Sequence, residues 1–313
     1  MQFSVRINNQ QAYPIITLKD KLTGCSAEIY AFGGLLNGWK IPLKGKLQQC
    51  VDGFDSVSDA RKNMASSFKS AKLSPFVCRM RKGTYQLNDQ SYTVHKHYLE
   101  ANAIHGLVFD APFAIKTHEA TNTEASVALE YHYQQSDQGY PFNYSITIIW
   151  KLESGNKLSV TTLVSHENKL DIPYADGWHP YFTLGGKVNN YTLQFNSDTQ
   201  LLFDKELLPT GKKKKDTRFL KGLLLNDTFL DNSFELKSNE PSKCILSNKS
   251  LKLTIEPDAA YPILQVYTPL HRKSIAIENL SGAPDNFNNG MGLLLLKPKQ
   301  IYTFSTSYTI AVQ

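Results

Sequence analysis

The chain predicts a large all-β fold, an antiparallel β-sandwich of two stacked sheets. Period-two alternation of apolar and polar residues recurs over much of its length. Its 16 Tyr and 16 Phe are types that strands accommodate better than helices. Helical periodicity is scarce. In chain order, the best helical candidate is Ser56–Ser70, and its apolar spacing is poor. Asn88-Asp89 signals a turn. Tyr144–Leu152 alternates cleanly, Glu153–Asn156 turns, and Lys157–Val164 alternates again, so the two runs form a hairpin. Ser250–Ile255 and Ile263–Tyr267 repeat the pattern, Ser281-Gly282 marks a turn, and Gln300–Ile310 is the last strand. No linker, repeat or composition break divides residues 1–313, which read as a single domain.

Composition bounds the function. A chain that is 41% hydrophobic and 20% charged reads as an ordinary globular protein with a sizeable core. No stretch approaches the roughly 18 uninterrupted apolar residues of a membrane span, and no membrane partner is expected. Met1–Ile7 lacks the apolar run of a signal peptide, so a cytoplasmic location is expected. Cys25, Cys50, Cys78 and Cys244 are scattered, which fits reduced thiols and not a disulfide frame or zinc site. Part of the net charge of +6 is the run Lys212–Lys215. It follows Pro209-Thr210-Gly211, reads as a solvated loop tip, and has no aromatic platform beside it; no nucleic-acid partner is expected.

Three segments could carry chemistry. In Asp176-Gly177-Trp178-His179-Pro180-Tyr181-Phe182-Thr183-Leu184, the proline pushes His179 into an extended backbone at a strand edge or loop mouth, beside two aromatic rings. An imidazole there can trade protons near neutral pH, or simply pack. In Asn102–Leu107, Gly106 after His105 lets the backbone turn tightly and the imidazole project. Glu278 ends the apolar run Ser274–Leu280, where partial desolvation raises a carboxyl pKa towards the range of a general base. A rival pattern is His95-Lys96-His97 with Glu100, two histidines on one strand face and a nearby glutamate, with His105 as a fourth candidate. It suggests a metal-dependent cupin, but the glutamate is one residue too close and the flanking glycines are missing; exposed histidines on a polar strand are the plainer reading.

The three segments resemble, in order, the signature blocks of the aldose 1-epimerase (galactose mutarotase-like) family: a histidine before glycine, an H-x-Y-F-N-L block, and a glutamate ahead of a P-D-x-x-N loop. Here these are His105-Gly106, His179–Leu184, and Glu278 followed by Pro284–Asn288. Ser74–Gly83 resembles the family's N-R-I-x-x-G segment, and Leu230–Leu236 its D-x-x-F-x-L segment. Gln265–Thr268 also resembles a family strand. The resemblance implies a mutarotase-like supersandwich that interconverts the α and β anomers of a hexose without metal or other cofactor. It implies Glu278 as base, His179 as acid, His105 as a hydrogen-bonding aid near the ring oxygen, and Arg79 and Asp231 as sugar-holding residues. Cys78 and Thr183 stand where the family has asparagines, and Asp227 is an alternative to Asp231. Arg81, Lys82 and Arg272 are available should the substrate be a hexose 6-phosphate. A β-sandwich that binds carbohydrate without turnover is the remaining alternative, and the assembly is expected to be a monomer or homodimer.

Overall fold

The computed structural model describes residues 1–313 and is built almost wholly from antiparallel strands. A five-stranded meander opens the chain: Phe3–Asn8, Ile15–Asp20, Ser26–Tyr30, Leu36–Leu43 and Lys46–Gln49. Two larger sheets follow. The nine-stranded sheet runs, in spatial order, through Ala114–Ala120, Glu124–Tyr133, Tyr144–Glu153, Lys157–Ser165, Tyr302–Val312, Leu251–Pro257, Cys244–Ser247, Thr192–Phe195 and Leu223–Leu224. The eight-stranded sheet runs Pro209–Lys215, Thr199–Phe203, Asp231–Glu235, Ile263–Tyr267, Ile275–Leu280, Gly177–His179 and Ala71–Leu73. Its eighth strand, Tyr181–Phe182, pairs beside Gly177–His179 on Ile275–Leu280.

The sandwich follows from alternation. On Tyr144–Glu153 the residues Tyr144, Ile146, Ile148, Trp150 and Leu152 point inward, and on Lys157–Ser165 so do Leu158, Val160, Thr162 and Val164. These strands are the predicted hairpin, paired in register from Ser145↔Ser165 to Glu153↔Lys157. Their inner face meets the eight-stranded sheet: Trp150 packs edge-on to Trp178 at 5.3 Å, and Tyr308 lies 5.7 Å from Phe182. Each apolar side chain buried there contributes about 1.5–3 kcal/mol.

The long helix, Val57–Ser67, starts where Ser56 accepts a hydrogen bond from the Asp59 amide at 3.1 Å and stops at Phe68, whose φ of 51° leaves the helical region. Val57, Ala60 and Met64 form its buried stripe, at i, i+3 and i+7. That stripe packs into a second apolar cluster with Phe54, Phe68 and Phe109, on the outer side of the eight-stranded sheet.

Two local expectations fail. Lys212–Lys215 is not a loop tip but part of the edge strand Pro209–Lys215, paired to Thr199–Phe203. An edge needs only its inner side bonded, and lysines on it discourage pairing with another chain. His95 and His97 do not share a strand face: the strand ends at Thr93, the chain bends at Lys96, and His97 has a left-handed backbone at φ 51°. His95 turns to Asp137 at 3.3 Å and His97 to Asp110 at 3.5 Å, so the two imidazoles diverge. No helix is long and apolar enough to cross a membrane, and the four cysteines are buried and unpaired.

Candidate active site

A pocket of about 300 Å³ opens on the outer face of the eight-stranded sheet. Its floor comes from three neighbouring strands. Register places Ser233 opposite Gln265 and Gln265 opposite Glu278, with Asp231 two residues from Ser233 on the same face. The side chains bond across the strands: Ser233 Oγ donates to Gln265 Oε1 at 2.5 Å, and Gln265 Nε2 donates to Asp231 Oδ1 at 2.8 Å. Glu278 lies at the centre of the strand Ile275–Leu280, every residue of which is buried.

His179 is the last residue of its short strand, and that strand lies inside the sheet, between Ile275–Leu280 and Ala71–Leu73. Gly177 allows this close pairing, since a Cβ there would stand 2.6 Å from Leu280 Cδ2. Pro180 interrupts the ladder without ending it, because its carbonyl still accepts from the Ile277 amide at 3.3 Å. The result is a fixed imidazole. Its ring stacks on Tyr181 at 5.0 Å, and its Nε2 stands 3.4 Å from Glu278 Oε1.

His105 arrives from another direction. The left-handed pair His105 (φ 63°) and Gly106 (φ 79°) turns the chain against Ser74, and a Cβ on Gly106 would sit 2.2 Å from the Ser74 carbonyl oxygen. The His105 amide donates to the Cys78 carbonyl at 2.9 Å. Its ring stands perpendicular to His179, with centroids 5.0 Å apart, and takes the edge of Phe68 at 4.5 Å. Arg79 borders the same cavity, its guanidinium 3.6 Å from Glu100. The Pro284–Asn288 loop braces that strand: Asp285 N–H donates to the Arg79 carbonyl at 2.7 Å, and Asp285 Oδ1 accepts from Arg81 N–H at 2.8 Å.

All five residues singled out from sequence, Arg79, His105, His179, Asp231 and Glu278, thus line one cavity. Asp227 does not; it accepts from Asn189 on an outer loop. Tyr181 faces the pocket, while Trp178 and Phe182 face the core. Cys78 lines the cavity at φ 50°. Gln265 and Tyr267 were not singled out as site residues. Their signal was a glutamine inside the otherwise apolar run Ile263–Tyr267, which only a polar face would want. Arg81, Lys82 and Arg272 lie outside the pocket: Arg81 pairs with Asp204 at 3.0 Å, Lys82 is exposed, and Arg272 holds Asn189 Oδ1 at 2.8 Å and the Thr228 carbonyl at 3.0 Å.

Electrostatically the floor is dry. Burial pulls His179 down to about 4 and takes His105 well below the usual histidine range, with His179 and Arg79 adding to the effect on His105. Burial pushes Glu278 well above the ordinary carboxyl range, reinforced by Asp231. Asp231 is raised by burial, against the pull of Arg79 and Gln265. His105 Nδ1, His179 Nδ1 and Glu278 Oε2 are buried without a hydrogen-bond partner. Such groups are costly in a folded protein and cluster where a ligand completes them. A buried carboxyl and imidazole in near contact can hand one proton to a ligand and take another from it.

Residues 14–309 match the family described as aldose 1-epimerase. The chain belongs to the aldose 1-epimerase family. Family membership carries a class of chemistry, isomerisation of a sugar of the mutarotase type. Among its relatives, the Escherichia coli protein YihR is 27% identical over 241 residues, 74% of this chain and 76% of that one. The bifunctional protein GAL10 of Kluyveromyces lactis is 26% identical over 66% of this chain, a stretch that spans 33% of GAL10. The fold is shared with a galactose mutarotase-like protein from Clostridium acetobutylicum, at a TM-score of 0.87 and 17% identity, covering 100% of this chain and 99% of the other. The large antiparallel sandwich expected from alternation is therefore the mutarotase-like one.

Proposed function

We propose that this protein is an aldose 1-epimerase acting on an unphosphorylated hexose, with Glu278 as general base and His179 as general acid. The observation that carries the reading is the buried Glu278–His179 contact of 3.4 Å beside a rigid Asp231–Gln265 pair in one pocket. Anomerisation opens a cyclic hemiacetal: a base removes the O1 proton while an acid protonates the ring oxygen. Rotation about C1–C2 and closure on the other face reverse both transfers. Glu278 takes the O1 proton, and His179 gives one to the ring oxygen. His105 hydrogen-bonds near that oxygen, and Arg79 and Asp231 hold hydroxyls so that the ring stays in register with the pair.

Proton counting supports these roles. Burial raises the Glu278 carboxyl and lowers the His179 imidazole, which favours the carboxyl for a proton shared across their contact. Moving that proton across the contact gives carboxylate and imidazolium, the reactive form, without exchange with solvent. Each acid or base step contributes about 10²–10⁴-fold.

The absence of a free cation supports a neutral sugar. Arg79 is the only basic side chain lining the pocket apart from the histidines, and it faces Glu100 and Asp231. We further place the whole chain in one domain and, from its four unpaired thiols, in a reducing cytoplasm. Polarimetry on freshly dissolved α-D-glucose and α-D-galactose tests the reading. Wild type should shorten the relaxation far below the buffer rate and Glu278→Gln should not; equal, buffer-limited rates for both would overturn it.

A further inference from the structure

The sheet that carries His179 and Glu278 has a second face, turned into the sandwich, and it holds a charged pair. Lys72 and Asp176 are both wholly buried, with Lys72 Nζ 2.5 Å from Asp176 Oδ1. Lys72 Nζ also donates to Thr162 Oγ1 of the nine-stranded sheet at 3.0 Å and lies 4.6 Å from the ring centre of Trp178. Asp176 accepts from Tyr261 OH at 2.7 Å and Tyr174 OH at 2.9 Å. Neither residue touches the pocket.

Such a pair is a poor way to gain stability. Desolvating two charges costs several kcal/mol each, and apolar residues of equal volume often do as well or better. Burial draws Lys72 down to about 8 even with Asp176 opposing it. What the pair does fix is strand placement. Lys72 is the middle residue of the three-residue edge strand Ala71–Leu73, with Trp178 directly opposite it and His179 opposite Ala71. The Ser70 amide just before that strand donates to the His179 carbonyl at 2.9 Å. Asp176 sits one residue before the strand Gly177–His179 and is doubly bonded to Ser281, just past the strand of Glu278. Its amide donates to Ser281 Oγ at 2.8 Å, and its carbonyl accepts from the Ser281 amide at 2.9 Å.

We infer that Lys72 and Asp176 are positioning residues of the active site, a buried ionic pin that ties the edge strand beside His179 to the start of the acid's own strand, where Asp176 is in turn bonded to Ser281 just past the strand of the base. A short edge strand without it would fray, and His179 would lose the neighbour that fixes its backbone. The inference rests on the acid–base roles proposed for His179 and Glu278. It predicts that the pin acts on turnover and little on sugar affinity, because Asp231 and Gln265 stand on strands it does not touch.

The test compares wild type, the apolar double variant Lys72→Met/Asp176→Leu, and Tyr261→Phe, which deletes only one hydroxyl on Asp176. Each is assayed for melting temperature, for kcat and KM by polarimetry on α-D-glucose, and for the ring ¹⁵N resonances of His179. Expected are a double variant melting within a few degrees of wild type, KM changed less than twofold, kcat lowered at least tenfold, and a broadened or displaced His179 signal. Tyr261→Phe should lower kcat two- to fivefold. A stably folded double variant with wild-type kcat and an unmoved His179 signal would overturn the pin, as would Tyr261→Phe with both unchanged if the double variant does not fold. Should wild type itself not exceed the buffer rate, the acid–base reading falls. The His179 resonances then decide alone: displaced in the variants, the pin stands; unmoved, it falls.

Discussion

The strands Gly177–His179 and Ile275–Leu280, together with the edge strand beside them, present two buried faces whose ionisable side chains have opposite habits, although Trp178 Nε1 and Asn279 Oδ1 on the inner face also lack partners. On the inner face the charges of Lys72 and Asp176 meet five partnerships among themselves and Thr162, Tyr174, Tyr261 and the Trp178 ring. On the outer face His105 Nδ1, His179 Nδ1 and Glu278 Oε2 are as dry and have none. A satisfied polar cluster specifies structure, whereas an unsatisfied one stores an affinity for something not yet bound. Removing an unpartnered group from the outer face should therefore cost activity and not stability. Removing one from the inner face should cost stability first.

Glu278→Gln separates the two faces most sharply. kcat should fall by about 10²–10⁴-fold, the worth of one acid–base partner. Stability should move the other way. Above the ordinary carboxyl pKa the unfolded chain releases the Glu278 proton while the folded chain keeps it, so wild-type stability falls as pH rises. Gln lacks this linkage, and the melting temperature of Glu278→Gln relative to wild type should climb between pH 4.5 and 7. A constant difference across that range would mean that Glu278 ionises normally in the fold. The wild-type rate should be bell-shaped. Its acid limb lies near 4, where His179 takes a second proton onto the pair, and its alkaline limb lies above the usual carboxyl range, where Glu278 loses the only one. A single limb centred near 6.5 would show an exposed, unperturbed imidazole instead.

Lys72→Met alone is the reciprocal experiment. It leaves the Asp176 carboxylate buried without its cation, a change that costs about 3–5 kcal/mol. Urea unfolding should show this loss directly. A loss under about 1 kcal/mol, the range of a surface pair, would mean that water reaches Asp176, and the contrast between the faces would then collapse.

Legibility in the sequence followed the same divide. Tyr144–Leu152 and Lys157–Val164 were readable because a sandwich strand exposes one face to the core and one outward, which forces alternation. His179 and His105 were readable because each sits beside a residue with backbone consequences, Pro180 or Gly106. Glu278 stood out as a carboxylate in an apolar run, though it lies mid-strand and not at the strand end expected for it, and the resemblance supplied Arg79 and Asp231. Lys72 was not readable. It interrupts Ala71–Leu73, a strand too short to show a period, and its partner is 104 residues away. The lysine run 212–215 misled for a related reason: an edge strand with both faces exposed carries no apolar alternation and looks like a loop. His95 and His97 misled in the opposite sense, since spacing of two implies a shared face only where the backbone is a strand.

Gln265→Leu probes the boundary between the faces and should have the smallest effect. The glutamine ties Ser233 to Asp231 along the pocket floor without touching His179 or Glu278. Leucine keeps the bulk and deletes both bonds, leaving the buried Ser233 hydroxyl unpartnered at a cost of about 1–3 kcal/mol in stability. Asp231 would then be free to leave the position from which it is proposed to hold a sugar hydroxyl. A hydroxyl remote from C1 is held equally in ground and transition states, so its loss should raise KM by about tenfold and leave kcat within a factor of about three. Initial polarimetric rates over a range of glucose concentrations measure both. A fall in kcat at constant KM would place Asp231 at the reacting carbon, and the division of the floor into a sugar-holding end and a proton-transferring end would have to be redrawn.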